Sequence, residues 1–140
     1  MVLDVKASVV DYITAGVDTI GNSIIFALAL IAGDARVRLA LQSELDRVLP
    51  GRDEEVTPDK ISRMKYLRAC VTESFRLFPT ASQLARIIEE DTEVAGGHVL
   101  PKHSVVLCHH RIAALQEENF ARARQFLPER CVAYRRPSCF

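Results

Sequence analysis

From Leu3 to Ile31 apolar residues crowd the chain at helical spacing, which predicts one long helix. Gly16, Asp18, Thr19 and Gly21 fall in its middle, and each glycine there costs about 1 kcal/mol relative to alanine. A carboxylate between two glycines is an odd choice for a buried apolar helix. Gly33 ends the run, and Asp34 can cap a second helix over Ala35 to Val48. In that helix Val37, Leu41, Leu45 and Val48 recur at three- and four-residue steps, with charges between them. The stretch "LPGRDEEVTP" reads as a polar, turn-rich linker. Its Thr57-Pro58 supplies a cap followed by proline at the first helical position, so a short helix is expected around Asp59 to Arg63. Met64 to Phe78 is the next helix, stopped by Pro79, with Leu67, Val71, Ser74 or Phe75, and Phe78 as its apolar stripe.

After Pro79 the period changes. "ARIIEEDTEVAGGHVLPKHSVVL" carries short β-branched runs broken at Gly96-Gly97 and Pro101-Lys102, which predicts two or three strands with a turn between them. His109 to Leu115 is long enough for a helical turn or two, and the tail from Phe120 shows no sustained period. No internal repeat or low-complexity tract is present. The fold class read from this pattern is mainly α with a small β region, in a chain of 140 residues that suits one domain.

Charge and cysteines narrow the function classes. Eighteen basic and eighteen acidic residues cancel, so no chain-wide field draws nucleic acid or an anionic membrane surface. Cys70, Cys108, Cys131 and Cys139 form neither a CxxC pair nor a metal-ligand spacing, and read as reduced thiols. The four histidines, likewise, have no carboxylate or cysteine at ligand spacing beside them. Val9 to Ile31 could span a bilayer by length, but Asp11, Asp18 and Asn22 make that reading costly.

Glu73 and Arg76 stand three apart on one helix and can pair. An exposed pair of this kind is commonplace and worth a few tenths of a kcal/mol. Here it is embedded in "YLRACVTESFRLFP", where partial burial would call for a further partner, and Arg130 in "FLPER" is a candidate. Three segments now line up: "AGVDT" (Ala15 to Thr19), "ESFR" (Glu73 to Arg76) and "FLPER" (Phe126 to Arg130). With Arg86 and the G-x-x-x-P turn of Gly97 to Pro101 between them, they resemble the C-terminal half of a cytochrome P-450, from about residue 4 to residue 132.

The resemblance implies a partial P-450 fold and a function for each segment. The first helix would cross the distal face of a haem, with Ala15, Gly16 and Thr19 among the cofactor-binding residues and Gly16 letting backbone approach the macrocycle where a side chain would collide. Asp18 and Thr19 match the acid–alcohol pair that relays protons toward dioxygen at the haem, and the helix would open locally there. Alternatively, the Thr19 hydroxyl bonds back to the Ala15 carbonyl and only bends the helix. Glu73, Arg76 and Arg130 would form the family's structural triad, a positional rather than catalytic set. Arg86 matches the arginine that pairs with a haem propionate, and Thr80 to Leu84 would border the substrate cavity. Ile20 replaces a second hydroxyl residue that many members carry, and Cys131 stands where an aromatic residue commonly follows "PER".

The family's iron ligand is a cysteine in a pattern F-x-x-G-x-R-x-C-x-G, and nothing here matches it, so no metal ligand is assigned. The chain is therefore expected to be a single partial domain over residues 1–140, lacking the N-terminal half and the haem-cysteine loop and inactive by itself. "CHHRIAALQEENFARARQFLPER" looks like the mitochondrial group, and within it the insect ecdysteroid hydroxylases. That implies a monooxygenase with haem cofactor, dioxygen, a hydrophobic substrate such as a steroid, and a ferredoxin-type electron donor. It also implies a mitochondrial location on the matrix side of the inner membrane, with the endoplasmic reticulum as the alternative and membrane attachment through segments outside this sequence. Arg68 matches one of two basic positions that dock the ferredoxin, and Thr72 replaces the other. The competing reading is a non-enzymatic helical interaction protein whose apolar faces pack on a partner.

Overall fold

The computed structural model describes residues 2–51 and 53–133, with side chains described from residue 5 to residue 132. Its elements are α1 (Val2–Gly33), α2 (Ala35–Val48), α3 (Pro58–Arg63), α4 (Lys65–Leu77), β1 (Leu84–Ile87), β2 (Thr92–Val94), β3 (His98–Leu100), β4 (Val105–Cys108), α5 (His110–Ala114) and α6 (Glu129–Ala133). They fall into two compact units, one built on the chain through Thr80 and resuming at Arg124, the other spanning Ala81–Ala123.

The first unit is helical. The Asp34 side chain caps α2 by accepting from the backbone N–H of Arg36 at 2.9 Å and of Val37 at 3.2 Å, which satisfies two donors that the helix cannot pair internally. The backbone contacts of Val37 lower the Asp34 carboxyl below its ordinary range, partial desolvation opposes this, and the Arg36 charge adds to the lowering. Thr57 caps α3 through Lys60 N–H, with Pro58 at the first helical position. The start of α4 is different. Met64 offers no side-chain cap, and the carboxylate of Glu44 on α2 instead accepts from Tyr66 N–H at 2.8 Å and Leu67 N–H at 2.9 Å. The buried stripe of α2 is accordingly Val37, Leu41, Glu44 and Val48, with the expected Leu45 only half-buried.

Helix α1 runs unbroken through Gly16 and Gly21, so the local opening expected near Thr19 is not present. It buries Ala27 and stacks Phe26 on Phe78, ring centroids 5.2 Å apart, yet Val17, Ile20 and Ile24 stay more than half exposed. Length and composition alone would let Val5–Gly33 cross a membrane.

The second unit is a nested pair of antiparallel hairpins rather than two or three strands. β1 pairs with β4, from Leu84 opposite Cys108 to Ile87 opposite Val105. Between them β2 pairs with β3, from Thr92 opposite Leu100 to Val94 opposite His98. Its turn passes through Gly96 (φ 87°) and Gly97 (φ 74°), left-handed conformations in which a side chain would be strained. The expected helical turn after His109 is α5.

Candidate functional site

Glu73 is the most completely enclosed charge among the described residues, with no exposed surface. A carboxylate so far from water needs strong donors on both oxygens. Arg76, one turn along α4, supplies a fork: Nε donates to Oε2 at 2.9 Å and Nη2 to Oε1 at 2.8 Å. Arg130, at the start of α6, donates through Nε to Oε1 at 2.9 Å, and the backbone N–H of Leu127 donates to the same oxygen at 3.2 Å. Arg76 Nη2 also reaches the carbonyl of Gln125 at 3.3 Å. The three residues read from the sequence as a triad are therefore brought together. They staple the segment from Gln125 to Arg130 onto the C-terminal half of α4. The Cys131 thiol adds a weak donor to Glu73 Oε2 at 3.8 Å.

On α1 the outcome for each residue differs. Thr19 Oγ1 donates to the Ala15 carbonyl at 2.7 Å, so the back-bonded alternative is the one seen. Ser23 repeats the arrangement one turn on, donating to the Thr19 carbonyl at 2.6 Å. A Cβ placed on Gly16 meets nothing within 4 Å, which leaves that face of the backbone open to an incoming group. Asp18 is exposed on the same turn region, and Ala15 with it. Thr19, Ser23 and Thr80 are the hydroxyls in the lining of an otherwise apolar cavity of about 570 Å³ between α1 and α4, where Ile24 and Leu28 face Leu67, Val71 and Phe75. The stripe expected on α4 thus faces α1, while Glu73 and Arg76 occupy the other side of the same helix. The two helices touch directly at Phe26 and Phe78, so they are not held apart along their whole length.

Arg86 lies in β1 of the second unit, opposite Val106. Its guanidinium is exposed, donates to the neighbouring Ala85 carbonyl at 2.8 Å, and has no carboxylate partner among the described residues.

Three side-chain groupings were not anticipated. One is the Glu44 cap on α4. Another is Glu129, which accepts from the Tyr66 hydroxyl at 2.8 Å and pairs with Arg36. In the second unit, Glu117 grips the backbone N–H groups of Arg122 and Ala123 at 2.7 and 2.9 Å, where Arg122 takes a left-handed φ of 55°. Only Glu44 had a readable signal, a carboxylate in phase with Val37, Leu41 and Val48 on the apolar stripe. The described cysteines differ in their settings. Cys70 is buried, and desolvation first, then the nearby Glu129 and Glu44 charges, push its thiol up to about 12. Cys131 is engaged by Glu73, Cys108 sits exposed in β4, and Cys139 lies outside the described residues.

The described residues thus make a mainly helical unit with a long glycine-bearing helix and a buried Glu–Arg–Arg knot, and a small hairpin unit. The Cytochrome P450 family model matches residues 2–132, and the chain belongs to that family. It is 40% identical over 129 residues to ecdysone 20-monooxygenase of Drosophila melanogaster, covering 92% of this chain and 23% of that protein. It is 32% identical over 133 residues to cytochrome P450 302a1, mitochondrial, of the same organism, covering 94% of this chain and 27% of that one. A crystal structure of a cytochrome P450 (CYP102L1) superposes with a TM-score of 0.79 at 30% identity, over 85% of this chain and 27% of that one. The chain thus spans about a quarter of the length of the relatives it matches.

Proposed function

We propose that this chain supplies the distal helix and the triad of a haem-thiolate monooxygenase that hydroxylates a hydrophobic substrate of the steroid class. The observation that carries the proposal is the Glu73 knot. An isolated exposed pair would signify nothing, but a fully buried carboxylate shared by Arg76, Arg130 and Leu127 N–H fixes one loop against one helix, as the family's triad does. Identity to a relative named ecdysone 20-monooxygenase supports the steroid class.

The residues present fit the distal half of a haem site. In the helical unit Gly16, with the exposed Ala15 before it, leaves α1 open for a flat macrocycle; in the hairpin unit, taken by itself, Arg86 offers an exposed guanidinium of the kind that pairs with a propionate. When bound, the haem supplies the activation of dioxygen. Thr19 would hold a proton at Oγ1 and, on releasing the Ala15 carbonyl, present it, while the exposed Asp18 connects that hydroxyl to solvent. Glu73, Arg76 and Arg130 position the loop and take no part in proton transfer.

A mitochondrial location with a ferredoxin-type donor is the accompanying reading, supported by the relatives named mitochondrial and by the exposed Arg68 on α4. The test is a chimera in which residues 2–132 replace the matching segment of the Drosophila ecdysone relative. It should hydroxylate the steroid with ferredoxin and NADPH. Thr19→Ala should lower product formed per NADPH by at least about a hundredfold while leaving NADPH oxidation running. Unchanged coupling in Thr19→Ala would remove Thr19 from the proton path.

A further inference from the structure

Glu129 and Arg130 are neighbours that reach in different directions. Arg130 engages Glu73 on the C-terminal half of α4. Glu129 engages the N-terminal half, where Tyr66 Oη donates to Oε1 at 2.8 Å, and it also takes the Nη1 donor of Arg36 from α2. Arg36 is itself oriented by the α2 cap, Nη2 lying 3.2 Å from Asp34 Oδ2. A single carboxylate therefore joins α2, α4 and the short α6. We propose that Arg36, Glu129 and Tyr66 form a second positioning clamp on this loop, one that sets where Leu127 and Arg130 meet Glu73.

Geometry and charge agree with that role. Pro128, between the two engaged segments, is fully buried, and its carbonyl accepts from Cys131 N–H at 2.9 Å, so Glu129 and Arg130 leave a rigid turn. With Glu129 removed the loop would keep its anchors at Glu73 but lose the tether that fixes its approach. Partial burial works to raise the Glu129 carboxyl, yet its own backbone N–H, the Tyr66 hydroxyl and Arg36 outweigh that and hold it below the ordinary range. Burial, then the hydrogen bond to Glu129 and its charge, in turn raise the Tyr66 phenol. Since Arg36 and Glu129 are each half-exposed, a plain surface ion pair would contribute little; the phenol makes this a network with defined direction.

The functional value of the clamp rests on the haem reading above, but its test needs no cofactor, so the two stand or fall separately. The assay is site-resolved amide exchange and tyrosine-carbon NMR on the isotope-labelled 140-residue chain. Glu129→Gln and Tyr66→Phe should each speed exchange of the Leu127 amide by roughly tenfold, the double variant no further than Glu129→Gln alone. Exchange in the Val94–His98 hairpin should not move, and Glu129→Gln should bring Tyr66 ionisation back toward the ordinary phenol range. Unchanged Leu127 exchange, or additive effects in the double variant, overturns the clamp. If Glu129→Gln does not fold, Tyr66→Phe and Arg36→Gln give the same reading, and protection at Leu127 equal to wild type in both overturns it.

Discussion

Glu73 shows how much depends on one side chain. Its two arginines are themselves nearly out of solvent, with side chains 2% and 16% exposed, so deleting the carboxylate charge breaks two buried ion pairs at once. Glu73→Gln should cost about 3–5 kcal/mol in urea denaturation, the penalty of breaking a buried ion pair by removing one partner. A loss below about 1 kcal/mol would mean that water reaches Arg76. The thiol and phenol near this core set the alkaline limit. Cys70 and Tyr66 have raised values in the folded state, so the unfolded chain loses these protons first, from about pH 9 for Cys70 and about pH 10 for Tyr66. Stability should therefore be complete below pH 9 and fall as pH climbs toward 12. Cys70→Ala should flatten the lower part of that fall. At the acid end Asp34 and Glu129 are depressed, so their contribution is present above the ordinary carboxylate range and lost as pH drops through their folded values.

Among the elements, those with local punctuation were legible in the sequence. Asp34 and Thr57-Pro58 announce helix starts, Pro79 a stop, and Gly96-Gly97 a turn, and the structure puts a boundary at each. Elements defined by distant partners were not legible. α4 gets its N-terminal cap from Glu44, 22 residues earlier, and α6 is one turn following the buried Pro128. β1 lies at the head of the stretch expected to form strands, and its partner β4 stands at the far end, a pairing with no local signal. For the candidate site, the triad could be read because its residues sit in motifs, whereas Tyr66 and Glu129 meet across 63 positions and leave no periodic trace. Glu44 gives this scale its prediction. Glu44→Gln keeps the side-chain shape but weakens the cap on Tyr66 and Leu67 N–H, and Glu44→Ala removes it. Expected losses are about 0.5 and 1–2 kcal/mol respectively, measured by thermal unfolding followed by circular dichroism. Equal stability in Glu44→Ala would show that water replaces the carboxylate without cost.

For the molecule as a whole, α1 carries exposed apolar residues beside the 570 Å³ cavity, in a chain that spans about a quarter of the length of the relatives it matches. Under the proposed haem reading, Gly16 would be the point of closest approach for a flat cofactor, on a helix whose Val17, Ile20 and Ile24 are more than half exposed. That is the central claim, and the reduced carbon-monoxide spectrum of the chimera carrying residues 2–132 tests it most directly. A thiolate-type Soret band that is weakened by Gly16→Ala and abolished by Gly16→Phe, with folding retained, is the result this account predicts. A folded chimera with no such band, or one whose band is indifferent to phenylalanine at position 16, would contradict it.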